Sequence, residues 1–255
     1  MIKVVDLRKK FGDKWITKGV NLEIPDGQMT CIIGQSGEGK SVLLKQIIGL
    51  IKPTAGQIYV DNVDVTALNL RERDEYFKQV GYVFQFAALL DSLNIYENIG
   101  ITLREQGIPH KKVLPIVKEK LRQVNLEEDI LKKYPSEISG GMKKRVGLAR
   151  TLVTNPSVIL YDEPTTGLDP ITSRIIHELM FNMQKKLGLT SVVVSHDLEI
   201  FKFADNVALL CDGKIQYFGS AKTIWESDNP YIYQFIRGLP EGPIQSDIPS
   251  AKDKY

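Results

Sequence analysis

A short apolar run, Met29 to Ile33, leads straight into Gly34-Gln35-Ser36-Gly37-Glu38-Gly39-Lys40-Ser41. That junction limits what the chain can fold into more than any other. The run is too short for a helix and reads as a buried strand. Val42, Leu43, Ile47 and Leu50 then recur at helical spacing. Strand, glycine-rich loop and helix in that order predict an α/β core, with the loop at a strand's carboxyl end. The loop matches G-x-x-x-x-G-K-S in full. Its glycines let backbone N–H groups turn inward onto phosphate oxygens, and the helix adds its positive N-terminal end. Lys40 is expected to neutralise the β- and γ-phosphates of the bound nucleotide, and Ser41 to ligate Mg²⁺. The competing reading is an ordinary glycine-rich turn, which the flanking strand and helix disfavour.

A second apolar run, Val158-Ile159-Leu160-Tyr161, ends in Asp162-Glu163. Strand alternation predicts that the two acids point to different sides. One then holds Mg²⁺ through water (Asp162) and the other faces the attacking water (Glu163). Gln85 ends the strand-like run Val80 to Phe84 and is placed to reach both Mg²⁺ and that water. His196 ends the run Val192 to Ser195 and is placed to donate to the γ-phosphate. Phe11, ahead of the loop, is a candidate for stacking on adenine, a core role being the alternative. His110 and His177 have no such setting and read as structural.

The strands expected early in the chain are Ile2 to Leu7, Val20 to Ile24 and Gln57 to Val60, with Pro25-Asp26-Gly27 as a turn. Residues from about 87 to 152 read as an all-helical insert. Val113, Val117, Leu121 and Val124 mark one face there, and Lys111, Lys112, Lys118, Lys120 and Arg122 read as its solvated remainder. The last third alternates again. Asp169-Pro170 caps a helix running to about Leu187, with Gly188 beyond its end. Ser191 to Ser195 and Val207 to Cys211 are further strands. From Gly238 the composition turns rich in Pro, Gly and Ser. That tail reads as a disordered end or as a segment ordered by a partner.

Composition narrows the classes. The 255 residues carry a net charge of +2, which gives no general reason to expect nucleic acid as a partner. The two cysteines, Cys31 and Cys211, sit in strand-like runs and read as free buried thiols. No apolar run approaches the roughly 18 residues of a membrane span. The first residues lack the apolar core of a signal peptide. The expectation is a cytosolic-side protein that cannot cross a membrane alone.

Ile138-Ser139-Gly140-Gly141-Met142 opens a further helix-like run to Val153. Ser139 is a ready N-cap, and the glycines permit close approach to a second phosphate site. With Phe11, residues 34–41, Gln85, Asp162-Glu163, the run Thr166-Gly167-Leu168-Asp169 and His196, the order resembles the ATP-binding-cassette (ABC) ATPases over nearly the whole chain. The resemblance implies a P-loop NTPase fold: a mostly parallel core sheet, an N-terminal antiparallel β subdomain and an α-helical signature subdomain. It implies one ATPase domain over 1–238 and a C-terminal extension over 239–255. It further implies a homodimer in which Ser139, Gly140, Gly141 and the D-loop Asp169 complete the partner's ATP site. One position departs from the family pattern, Met142 standing where Gln is usual.

The segment Phe84 to Leu93, the Ser-Gly-Gly-Met-Lys run and the tail Phe235 to Ile244 resemble the Mla, or Mce-associated, branch. That branch energises phospholipid movement between bacterial inner and outer membranes. It implies a membrane permease (MlaE-like), an Mce-domain lipid-binding protein (MlaD-like) and a tail that clasps the neighbouring subunit. The apolar stretch Phe86 to Leu90 either receives the permease or starts a buried helix. The alternatives are an ABC ATPase for another solute and a regulatory FtsE-like ATPase. One cassette and no heptad run count against translation factors and chromosome-maintenance proteins.

Overall fold

The computed structural model describes residues 1–245. The expected tail clasp rests in part on residues 246–255, which lie outside the described residues. The chain starts with a hairpin of β1 (Ile2–Phe11) and β2 (Lys14–Ile24), then β3 (Met29–Ile33) and α1 (Lys40–Ile47). β4 (Ala55–Val60), β5 (Val63–Asp64), α2 (Leu70–Gln79) and β6 (Val80–Val83) follow. A helical stretch holds α3 (Ile95–Glu105), α4 (His110–Gln123) and α5 (Gly140–Leu152). The remainder is β7 (Val158–Asp162), α6 (Pro170–Leu187), β8 (Thr190–Val194), β9 (Asn206–Cys211), β10 (Lys214–Ser220) and α7 (Pro230–Arg237).

Two sheets result. β2-β1-β4-β5 is antiparallel throughout, and β10-β9-β3-β8-β7-β6 is parallel except for the β9–β10 hairpin. β3, β7 and β8 are buried along their whole length, as near-continuous apolar runs require when both faces of a parallel sheet are covered. One apolar core joins the sheet to the helical stretch, and a second joins its other face to the antiparallel sheet and α1. β3 and β7 therefore deliver Gly34 and Asp162 to the same edge of one sheet, with β8 between them.

The helical face at Val113, Val117, Leu121 and Val124 is fully buried. Lys120 departs from the solvated remainder. It is buried, and its Nζ donates to Asn155 Oδ1 at 2.7 Å. The Asn155 acceptor and the Glu119 carboxylate, 3.6 Å away, let the ammonium stay buried. Asp169 caps α6 by accepting from the amides of Ile171 and Thr172, and Gly188 closes the helix in the left-handed region. Cys31 and Cys211 are free and buried.

Residues after α7 turn back onto it. Gln234 accepts from the Ile244 amide at 2.7 Å and donates to the carbonyls of Ile244 at 3.0 Å and Leu239 at 3.2 Å. Ile244 is buried in the larger core. The start of the Pro- and Gly-rich segment thus contributes a core residue, because one glutamine satisfies the backbone groups that its burial removes from water.

Candidate functional site: a phosphate loop beside a paired acid edge

The loop between β3 and α1 is shaped by what surrounds it. Gly39 lies at φ +93, and a Cβ there would stand 2.4 Å from Ile16 Cγ2 on β2. Only glycine meets both conditions. Ile16, Ser36, Gly37, Gly39, Lys40, Ser41, Val42, Gln85 and Glu163 line one cavity of about 360 Å³. The structure therefore brings the loop, Gln85 and Glu163 together. Ile16 was not singled out from the sequence. It is one apolar residue in a hairpin strand, and only the tertiary approach of β2 to the loop gives it a role.

Lys40 is buried, and its Nζ donates to the carbonyls of Gly34 at 2.8 Å and Gln35 at 2.7 Å. Burial lowers its pKa, while Glu163, Glu38 and Asp162 oppose that shift. The ammonium is thus held at the loop by its own backbone, with both acids of the strand end close enough to act on it. Ser41 donates to Asp162 Oδ1 at 2.7 Å. Tyr82 on β6 donates to Asp162 Oδ2 at 2.8 Å.

Alternation does not orient Glu163. β7 ends at Asp162, and Glu163 takes φ +47, a left-handed conformation costly for a side-chain-bearing residue. Its amide still donates to the Val194 carbonyl at 2.9 Å, the last rung of the β7–β8 ladder, and the positive φ turns the chain out of the strand beyond it. Glu163 Oε2 accepts from Thr166 at 2.8 Å and lies 3.2 Å from His196 Nδ1. Both acids accordingly serve the same loop rather than opposite sides.

His196 is exposed and lines a separate cavity of about 710 Å³, with Thr165 to Leu168, Arg174 and Asp197. It reaches the phosphate cavity through Glu163. Phe11 ends β1, exposed, with the Lys9 ammonium 4.8 Å from its ring centre, and it is not among the cavity's lining residues.

Ser139 caps α5, accepting from the Met142 amide at 3.3 Å. Ser139 and Gly140 are exposed at that helix end. A Cβ on Gly141 would stand 2.8 Å from Thr172 Cγ2, so α5 approaches the start of α6 closely. Neither Ser139, Gly140 nor Gly141 lines the phosphate cavity of its own chain. Lys144, buried on α5, donates to the Gln85 carbonyl, and burial lowers its pKa against the pull of Glu163. Arg150 donates to the carbonyls of Ala87 at 2.8 Å and Ala88 at 2.7 Å. The segment after Gln85 is held open by these bonds. Phe86 and Leu90 are exposed, which excludes the buried-helix reading.

A strand-fed phosphate loop, with a carboxylate at the end of a strand two places away in a parallel sheet, defines a nucleoside-triphosphatase core. The family model described as ABC transporter matches residues 17–166, and the chain belongs to that family of ATPases. The chain is 36% identical to MlaF of Haemophilus influenzae, an intermembrane phospholipid transport ATP-binding protein, over 98% of this chain and 95% of that one. It is 40% identical to the probable ribonucleotide transport ATP-binding protein mkl of Mycobacterium leprae, over 95% of this chain and 70% of that one. Among solved structures, a dimeric ATP-binding cassette in a post-hydrolysis state bound to ADP and Pi superposes with a TM-score of 0.79. It is 33% identical, covering 87% of this chain and 99% of that one. Among the described residues no helix is long and apolar enough to cross a membrane.

Proposed function

We propose that this chain is the ATP-binding and hydrolysing subunit of an ABC transporter that moves phospholipid between bacterial inner and outer membranes. The observation that carries the cargo is the near end-to-end likeness to an intermembrane phospholipid transport protein, MlaF. Phe86 and Leu90, exposed just after Gln85, support it as part of the surface offered to a permease. An MlaE-like permease and an MlaD-like Mce-domain protein are the corresponding partners. The chain then works at the cytoplasmic face of the membrane, bound through the permease.

ATP enters with its phosphates against the loop amides of residues 34–39. Lys40 exchanges its backbone carbonyls for phosphate oxygens. Phe11 takes the adenine. Ser41, Asp162 and Gln85 offer oxygen donors of the kind Mg²⁺ prefers, and the Ser41–Asp162 contact already sets two of them side by side. When bound, Mg²⁺ neutralises charge on the β- and γ-phosphate oxygens. Glu163 takes the proton of the attacking water, with Gln85 orienting that water. His196 holds Glu163 and donates to the γ-phosphate as the site closes. A second copy supplies Ser139, Gly140, Gly141 and Asp169 across the interface, since these residues stand away from their own cavity. The domain spans 1–238 with the helical subdomain at about 87–152, and the first part of the extension, residues 239–245, folds back on α7 of its own chain.

The test is a pull-down from detergent-solubilised membranes, with proteins and lipids identified by mass spectrometry. A permease, an Mce-domain protein and bound phospholipid are expected. A second reading, transport of another solute, is favoured by the higher identity to mkl. Ribonucleotide stimulation of the purified complex's ATPase, without phospholipid stimulation, would establish it in place of the first.

A further inference from the structure

Asp162 accepts hydrogen bonds from two side chains among the described residues, and only Ser41 belongs to the phosphate loop. The other donor, Tyr82, has no part in the chemistry assigned above. We propose that Tyr82 is a positioning residue for Asp162, locking the carboxylate so that one oxygen stays toward Ser41 and the metal. The proposal rests on the reading of Asp162 as the acid that holds Mg²⁺.

The placement follows from the sheet. β6 runs parallel to β7, and Tyr82 stands level with Leu160. Leu160 and Asp162 are two residues apart on β7 and so share a face. A tyrosine on the neighbouring strand, level with the first, is long enough to reach the second. Tyr82 is buried, and its hydroxyl meets Oδ2 at 2.8 Å while Ser41 meets Oδ1 at 2.7 Å. The terminal torsion of an aspartate is broad and roughly two-fold. With Ser41 alone, the carboxylate plane can swing about that torsion. A second donor on the other oxygen fixes the plane.

Tyr82 is itself held from two sides. The Thr151 hydroxyl on α5 donates to its carbonyl at 3.3 Å. Its ring packs on Phe84, with centres 4.7 Å apart and planes at 54°. A Cβ on Gly81 would stand 2.3 Å from Thr151 Cγ2, so the β6 backbone lies against the Thr151 side chain of α5. A continuous set of contacts therefore runs from the helix that carries Ser139 to the acid at the metal position.

The experiment titrates Mn²⁺ by electron paramagnetic resonance into full-length protein saturated with a non-hydrolysable ATP analogue. Wild type, Tyr82→Phe and Asp162→Asn are compared, and analogue affinity is measured separately in EDTA. Tyr82→Phe is expected to weaken Mn²⁺ by about tenfold, as loss of an outer partner of a ligand typically does, with metal-free analogue affinity unchanged. Unchanged Mn²⁺ affinity in Tyr82→Phe, with Mn²⁺ binding lost in Asp162→Asn, overturns the positioning role and leaves the metal reading standing. Unchanged Mn²⁺ affinity in Asp162→Asn overturns the metal reading and the proposal with it. Equal loss of Mn²⁺ and metal-free analogue binding in Tyr82→Phe makes the tyrosine a fold residue and also overturns the proposal.

Discussion

Replacing Gly39 with alanine tests how the phosphate loop is held. Two separable terms act at that position. Gly39 sits at φ +93 and ψ 15, and the new Cβ meets Ile16 Cγ2 at 2.4 Å. Left-handed backbone costs a side-chain-bearing residue roughly 1–2 kcal/mol, and an overpacked contact roughly 1–3 kcal/mol, so the native loop is raised by about 2–5 kcal/mol. At about 1.4 kcal/mol per tenfold, nucleotide affinity falls roughly 30-fold to several-thousand-fold. Ile16→Ala removes the Cγ2. The next contacts are the Ile16 carbonyl oxygen at 3.7 Å and Cβ at 3.9 Å, both ordinary distances. The double variant therefore keeps only the backbone term, and its affinity lies about 5- to 30-fold below that of Ile16→Ala. The assay is fluorescent-nucleotide titration of all four proteins, read as a double-mutant cycle. A coupling below about 0.5 kcal/mol, the usual scatter for non-interacting sites, would refute the claim that β2 restricts the loop.

Glu163→Gln should keep ATP binding and lower turnover by about 10²- to 10⁴-fold, the usual share of a general base; turnover near wild type in a phosphate-release assay would remove Glu163 from that role. His177 is fully buried, and neither ring nitrogen has a hydrogen-bond partner among the described residues. Burial lowers its pKa from 6.5, with Asp197 and Glu199 opposing. The unfolded chain then binds the extra proton, so stability is full above pH 6.5 and is lost as pH falls toward the folded value. His177→Phe should flatten thermal melting between neutral pH and mild acid, and an unchanged slope would place the acid sensitivity elsewhere. Gln234→Leu removes three hydrogen bonds to Leu239 and Ile244. At about 1 kcal/mol each, the Ile244 amide should lose roughly 100-fold of its hydrogen-exchange protection, while ATP binding stays unchanged. Full protection would show that Ile244 is held by packing alone.

The elements legible in the sequence are those whose signal is local. β3, β7 and α6 fall where their residues place them. An unbroken apolar run, an N-cap Asp with Pro after it and a left-handed Gly act over a few residues. α2 has little apolar face, with one buried residue among its ten, so its hydrophobic period is weak and it was not read as a helix. β10 and α7 were missed as well. β10 is a half-exposed hairpin strand whose alternation, Lys214-Ile215-Gln216-Tyr217, lasts only four residues. The first strands were read too short because β1 and β2 extend by pairing with each other through several register shifts. Lys120 was read as solvated, since its acceptor lies 35 residues away.

Taken by itself, the sequence determined the chemistry that fits within one turn or one strand end: the phosphate loop at 34–41, the acids Asp162 and Glu163, and the capped start of α5 at Ser139. It also settled the family, because those pieces keep their order along the chain. The tertiary structure alone decided how the pieces address one another. It turned Glu163 out of its strand toward His196, pressed Ile16 onto Gly39 and seated Ile244 on Gln234. It also joined Tyr82 to Asp162 across 80 residues of sequence. The reason is physical. Loop and cap geometry follow from backbone sterics and hydrogen bonds between near neighbours. Strand order and helix packing follow from burial, which depends on the whole chain.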